Sequence, residues 1–188
     1  MVTPVRIVAP SREWAPAFDE LAGRLAPTVS PWSTRIDHIG STSVPGLAAK
    51  DVIDIQVTVA GESDLDPAFA ALGAAGWVPW PYRRDHVAPG APDDEAQWVK
   101  RLVTAPHDER RANVHLRVAG RANQRYALLF RDYLRIRPDT AEAYSRFKRL
   151  AAELVTGDAG DYTDLKDPVC DLIYLPAEEW AERTGWSP

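Results

Sequence analysis

Two β-branched segments joined by a glycine-bearing loop constrain the fold of this chain more than any other feature. Arg35-Ile-Asp-His-Ile39 alternates in the manner of a half-buried strand. Val52 to Val59 is rich in β-branched residues, with Ile53, Ile55, Val57 and Val59 on one face and Asp54, Gln56 and Thr58 on the other. Between them lies Gly40-Ser-Thr-Ser-Val-Pro-Gly46, a turn-rich loop leading to Leu-Ala-Ala-Lys50. So short a link places the two strands side by side in one sheet, with the Gly40 loop at its edge and helices packed on one side.

The rest of the chain supplies those helices and the remaining strands. Trp14, Phe18, Leu21 and Leu25 follow a cap at Ser11 and predict a helix from Ser11 to Ala26, stopped by Pro27. Leu65–Ala75 reads as a helix ended by Gly76, and the aromatic run Trp77–Tyr82 reads as core rather than a base-stacking platform. Residues 83–96 read as a long loop, and Gln97–Thr104 and Asn113–Val118 as strands paired around Pro106–Arg111. Helical periodicity starts at Asn123, starts again at Pro138, and after a Gly/Asp linker covers Leu165–Glu182. The expected fold is α+β: a mixed sheet backed by helices with a helical C-terminal part. The expected domain is a single one over 1–188, its sheet part about 10–120 and its helical part about 121–184.

Composition narrows the class. The chain has 188 residues, 45% hydrophobic and 26% charged, which suits one globular domain. Cys170 is its single cysteine, so no internal disulfide and no cysteine zinc site is expected. No signal peptide or membrane span is expected, and the cytoplasm is the expected compartment. The net charge of −5 conceals a basic segment, residues 100–150, with 13 Lys/Arg against 5 Asp/Glu. That segment suits a polyanionic small molecule, or it simply solvates helix faces. With a pI of 5.4 and no reading motif, nucleic acid is not an expected partner.

The chemistry concentrates around the Gly40 loop. Gly40 allows close backbone approach to a phosphate, and Ser41 and Thr42 offer donors to its oxygens. His38 stands just before the loop and Lys50 just after it, and both are candidates for the same ligand. Asp54 on the second strand is the candidate catalytic carboxylate and Mg²⁺ ligand, with Gln56 as a weak second metal ligand. Asn113, His115 and Arg117 share a strand face, a polar stripe suited to gripping phosphate with the arginine fork. The sequence predicts that this stripe and the Asp54 stripe border one cleft. Arg125 and Lys166 are candidates for a basic wall.

The strand, Gly-Ser loop, strand, Asp order resembles nucleotidyltransferases of the polymerase β type. The run His38-Ile-Gly-Ser-Thr-Ser-Val-Pro-Gly-Leu-Ala-Ala-Lys50, followed by Ile53-Asp-Ile55, resembles the GrpB (UPF0157) family. Val114-His-Leu-Arg-Val118, Asn123–Leu134, Tyr162 and Lys166 extend the match over roughly residues 10–182. It is also similar to the C-terminal domain of some bacterial dephospho-CoA kinases, although no P-loop pattern is present. The resemblance implies a nucleotidyltransferase fold binding a nucleoside triphosphate with Mg²⁺, and transfer of a nucleotidyl group to an acceptor. Gln56 stands where active members of the wider superfamily carry a second carboxylate, and His115 and Arg117 stand in place of a third. The alternative is therefore a non-catalytic nucleotide- or CoA-binding module that regulates a protein partner.

Overall fold

The computed structural model describes residues 5–91, 93–155 and 159–188. In chain order its elements are α1 (Trp14–Val29), β1 (Ser33–Ile39), β2 (Ile53–Val59), α2 (Leu65–Ala74), β3 (Val78–Trp80), α3 (Glu95–Trp98), β4 (Arg101–Thr104) and β5 (Ala112–Val118). They are followed by α4 (Ala122–Ile136), α5 (Pro138–Leu154) and α6 (Ala159–Thr184). The strands form one mixed sheet in the order β1-β2-β5-β4-β3. β1 and β2 pair antiparallel, β2 and β5 parallel, and β4 runs antiparallel to both its neighbours.

Alternation along β2 decides which face is core. Ile53, Ile55, Val57 and Val59 are fully buried, packed with Val114 and Leu116 of β5 against Leu21 and Leu25 of α1 and Leu65 and Leu72 of α2. The opposite face carries Asp54, Gln56 and Thr58, in register with Asn113, His115 and Arg117. A one-residue slip would exchange the two faces, so the apolar stripe fixes the position of the polar one.

Helices cover both faces of the sheet, not one. On the polar side, α4 docks through the Gln56 Nε2 bond to the Gln124 carbonyl at 3.2 Å and the Arg131–Asp37 pair at 3.6 Å. Behind α4, a second apolar cluster joins Leu129, Tyr133 and Leu134 to Tyr144 of α5, to Ile173 and Ala177 of α6, and to Leu47 of the loop.

Several boundaries differ from the sequence expectation. α1 runs through Pro27 to Val29, because a proline in the last turn removes a single bond while Val29 is buried. The expected strand Gln97–Thr104 starts only at Arg101, and Gln97 and Trp98 belong to α3, capped by the Asp94 side chain on Ala96 N. α6 begins at Ala159 rather than Leu165 and continues through Pro168 and Pro176. Residues 156–158 of the expected linker, and Pro92 of the expected 83–96 loop, lie outside the described residues. Of the aromatic run, Trp77 is buried, whereas Trp80 and Tyr82 are exposed along the β3 edge and beyond.

Candidate functional site

Gly40 ends β1 with φ +68° and ψ −172°, a conformation that only glycine adopts without strain. The reason for glycine is also steric. A Cβ there would lie 2.5 Å from Asp54 Oδ2, so the loop backbone rests directly against the carboxylate. One 3₁₀ turn, Ser41–Ser43, follows.

Hydroxyls and helices hold this turn. Thr42 Oγ1 meets His38 Nε2 at 2.9 Å, and Ser43 Oγ donates to the Gly40 carbonyl at 2.6 Å. From α4, Arg131 donates to the His38 carbonyl at 3.1 Å, and Arg135 grips the Ser43 carbonyl with two nitrogens at 2.9 and 3.1 Å. From α5, Ser145 Oγ accepts from Ala48 N, and Lys148 donates to the Ala48 carbonyl. Lys148 Nζ also reaches Ser41 Oγ at 2.8 Å.

Asp54 is 29% exposed. Asn113 Nδ2 donates to its Oδ1 at 2.8 Å, and His115 Nε2 lies 3.8 Å from the same oxygen. Burial pushes the Asp54 pKa up, but His115, Asn113 and the charge of Lys166 outweigh it and hold the pKa below the ordinary value. Burial lowers the His115 pKa in turn, so a neutral ring faces an ionised carboxylate. With Nε2–H directed at Asp54, Nδ1 is left as an acceptor, and it is buried without a partner among the described residues.

Lysines close the other side. Lys50 Nζ sits 4.2 Å above the Tyr162 ring, and burial and then Lys166 depress its pKa. Lys166 lies 3.4 Å from Asp167 Oδ1 and 3.5 Å from Cys170 Sγ. Burial disfavours its charge, yet Cys170 and Asp167 together raise its pKa. The Tyr162 hydroxyl is buried and unpartnered among the described residues.

The residues singled out from the sequence thus separate into groups. Gly40, Ser41, Asp54, Lys50, His115 and Lys166 gather at one end of the β2–β5 pair. His38 turns to the other face, because its partner across the pair is Ile55, and its ring stacks on Phe18 at 4.7 Å. Burial lowers its pKa to about 4, so it stays neutral and braces Thr42. Gln56 lies buried, its Oε1 accepting from Arg117 Nη1 at 2.8 Å and its Nε2 donating to Gln124, which leaves no amide oxygen directed at a metal beside Asp54. Arg117 directs Nε and Nη2 to Asp85 at 2.9 and 3.1 Å, inside a buried network with Lys100 and Asn123. Its fork therefore grips a carboxylate of the protein itself. Arg125 pairs with Glu178 of α6 and belongs to the α4–α6 contact. Asp51, three residues before Asp54, is taken up by Arg110 and Trp14.

Two elements of the arrangement escape sequence reading. Lys148 has only one local signal, a lysine one turn after Tyr144 on the buried face of α5, and its contact with Ser41 spans 107 positions. Asp85 sits among loop acids that look alike in sequence.

For Mg²⁺, the carboxylate against the Gly40 loop is Asp54, and no cluster of three or more His, Cys, Asp or Glu side chains suited to a metal occurs among the described residues. That donor set fits one ion sharing its ligands with substrate phosphates, and does not fit a two-metal centre.

A Gly-Ser loop at the end of one strand, packed on an aspartate of the next strand in a mixed sheet, defines an α+β protein of nucleotidyltransferase-like fold. The crystal structure of GrpB from Enterococcus faecalis is similar, with a TM-score of 0.73 and 25% identity over 93% of this chain and 99% of that one. The family model described as GrpB protein matches residues 4–175, and the chain belongs to the GrpB family. A dephospho-CoA kinase of Mycolicibacterium paratuberculosis is 37% identical over 98% of this chain and 49% of its own length. A UPF0157 protein of Deinococcus radiodurans is 38% identical over 88% of this chain and 78% of its own. The chain spans about half the length of the curated kinases it matches. No helix among the described residues is long and apolar enough to cross a membrane.

Proposed function

We propose that the protein binds a phosphorylated ligand of nucleotide or coenzyme A type, with its phosphates in the cleft between the Gly40 loop, Asp54 and α6. One observation carries this reading: Lys50, Lys148 and Lys166 come from three separate segments and each is coupled by charge to Asp54, while Lys148 also reaches the Ser41 hydroxyl. Besides burial, the charge of Lys166 depresses the pKa of both Lys50 and Lys148, and an anionic ligand relieves that repulsion. Ser41 and the Tyr162 hydroxyl add hydrogen-bonding capacity at the same place. The similarity to proteins named dephospho-CoA kinase points to the same ligand chemistry. Regulation of a protein partner belongs to this reading.

The test is thermal melting of the whole chain with ATP, and separately with coenzyme A, each with and without Mg²⁺. A ligand at one hundred times its dissociation constant stabilises by about 2.7 kcal/mol, a rise of roughly 5–11 °C for a chain of this size. Lys166→Met should abolish most of that rise. No rise with either ligand would count against the reading.

A second reading adds nucleotidyl transfer to an acceptor, with Mg²⁺ on Asp54. The close packing of Gly40 on the Asp54 carboxylate favours it, since that contact holds the phosphate-binding loop and the metal ligand together. Pyrophosphate release that requires Mg²⁺ and disappears in Asp54→Ala is its signature.

A further inference from the structure

The loop carries three consecutive hydroxyls, and they are not equivalent. Thr42 is buried and engaged with His38, and Ser43 is buried and donates to the Gly40 carbonyl. Both lock the turn. Ser41 is half-buried at the cleft, and its oxygen meets the Lys148 ammonium nitrogen instead.

Lys148 is unusual for a lysine. It is 2% exposed, and it has no carboxylate within ion-pair distance among the described residues. A lysine buried for structure alone is ordinarily paired. Its nitrogen instead lies against Ser41 Oγ, the Ala48 carbonyl and, at 4.4 Å, the Tyr144 ring. The nitrogen donates to both oxygens; once deprotonated, it accepts from the hydroxyl and still donates to the carbonyl.

We propose that Ser41 and Lys148 form a nucleophile–base pair that transfers the nucleotidyl group of a bound nucleoside triphosphate onto the protein itself, at Ser41 Oγ. The proposal rests on the phosphate-binding reading above. Lys148 Nζ takes the hydroxyl proton as Ser41 Oγ forms a bond to the α-phosphorus. The α–β anhydride bond breaks, and pyrophosphate leaves with the bonding electrons. Lys50 and Lys166 supply positive charge to the phosphoryl oxygens. The product is a phosphodiester on Ser41 and a protonated Lys148.

The surroundings of Lys148 agree with a base that works near neutrality. Burial lowers its pKa to about 7; Lys166 of α6 and Arg149 of α5 push the same way, while Cys170 of α6 and Asp54 of β2 oppose them. The pair is also the arrangement by which lysine activates a serine in other nucleophilic sites.

The experiment incubates the full chain with α-labelled ATP and Mg²⁺ and locates the adduct by intact mass and peptide mapping. The expected result is one nucleotidyl group on Ser41, none in Ser41→Ala, and labelling slowed at least about 100-fold in both Lys148→Met and Lys148→Arg. Arginine keeps the charge but cannot serve as a base, so wild-type labelling in Lys148→Arg would overturn the proposal. Should those variants fail to fold, the wild-type pH profile decides. A rate rising through about pH 7 supports the base, and a flat profile between about pH 6 and 8.5 overturns it. Stabilisation by ATP without an adduct, or with one on another residue, overturns the pair and leaves ligand binding intact. No stabilisation and no adduct overturns both.

Discussion

Gly40→Ala is the sharpest perturbation of this site, because two separable penalties fall on one methyl group. The backbone at Gly40, φ +68° and ψ −172°, lies in a region that strains any residue with a Cβ by about 1–3 kcal/mol. The added carbon would also stand 2.5 Å from Asp54 Oδ2 and 3.0 Å from Asp54 Cβ. Forcing that overlap apart costs a further 1–3 kcal/mol or so. Gly46 is the internal control, since its φ is +80° but nothing lies within 4 Å of its virtual Cβ. Gly46→Ala should therefore show backbone strain alone. Urea denaturation of both variants should place Gly40→Ala about 1–3 kcal/mol below Gly46→Ala. A double-mutant cycle with Asp54→Ala completes the test. Removing the carboxylate should recover most of the extra loss, as expected for groups in direct contact. Equal losses at the two glycines, or no coupling to Asp54, would refute the packing of the loop on Asp54.

Two further outcomes follow from buried charge. Asp85→Ala strands Lys100 and Arg117, which it now holds at 2.5 and 2.9 Å, and should cost about 3–5 kcal/mol in a urea titration; a loss under about 1 kcal/mol would contradict the network. Burial opposes the charge on Asp85, but Arg117 and Lys100 outweigh it and depress its pKa, so its contribution is present above the unfolded value of about 4 and lost on further acidification. His38, lowered by burial to about 4, contributes stability that is present above about pH 6.5 and lost as pH falls towards 4. An NMR titration of its imidazole with a midpoint near 6.5 would contradict that placement.

Much of the sheet was legible because its signals are local. The alternation of Ile53, Ile55, Val57 and Val59 fixed both the strand and its buried face, and the Gly40 loop fixed its neighbour. Gly76 and Pro138 marked helix boundaries for equally local reasons. The polar stripes Asp54–Thr58 and Asn113–Arg117 do lie in register on one face. Their internal division was not legible, because spacing gives a face and not a depth. Asp54 and His115 reach the open end, whereas Gln56 and Arg117 lie one step further in and satisfy each other. Lys148 was hidden for the opposite reason: its meaning depends on α5 folding back over the Gly40 loop, a tertiary contact that no periodicity encodes. The same holds for Arg131 and Arg135, which look like wet-face arginines of α4 and in fact hold loop carbonyls.

A crystal structure of the whole chain with a bound nucleotide tests the central claim most directly. The account predicts phosphate oxygens at about 3 Å from Ser41, Lys50 and Lys166, hydrogen-bond distance, on the Asp54 side of the sheet. A nucleotide seated elsewhere, such as the concavity behind the loop lined by Pro45, Arg135 and Arg149, with the Asp54 cleft unchanged, would contradict it.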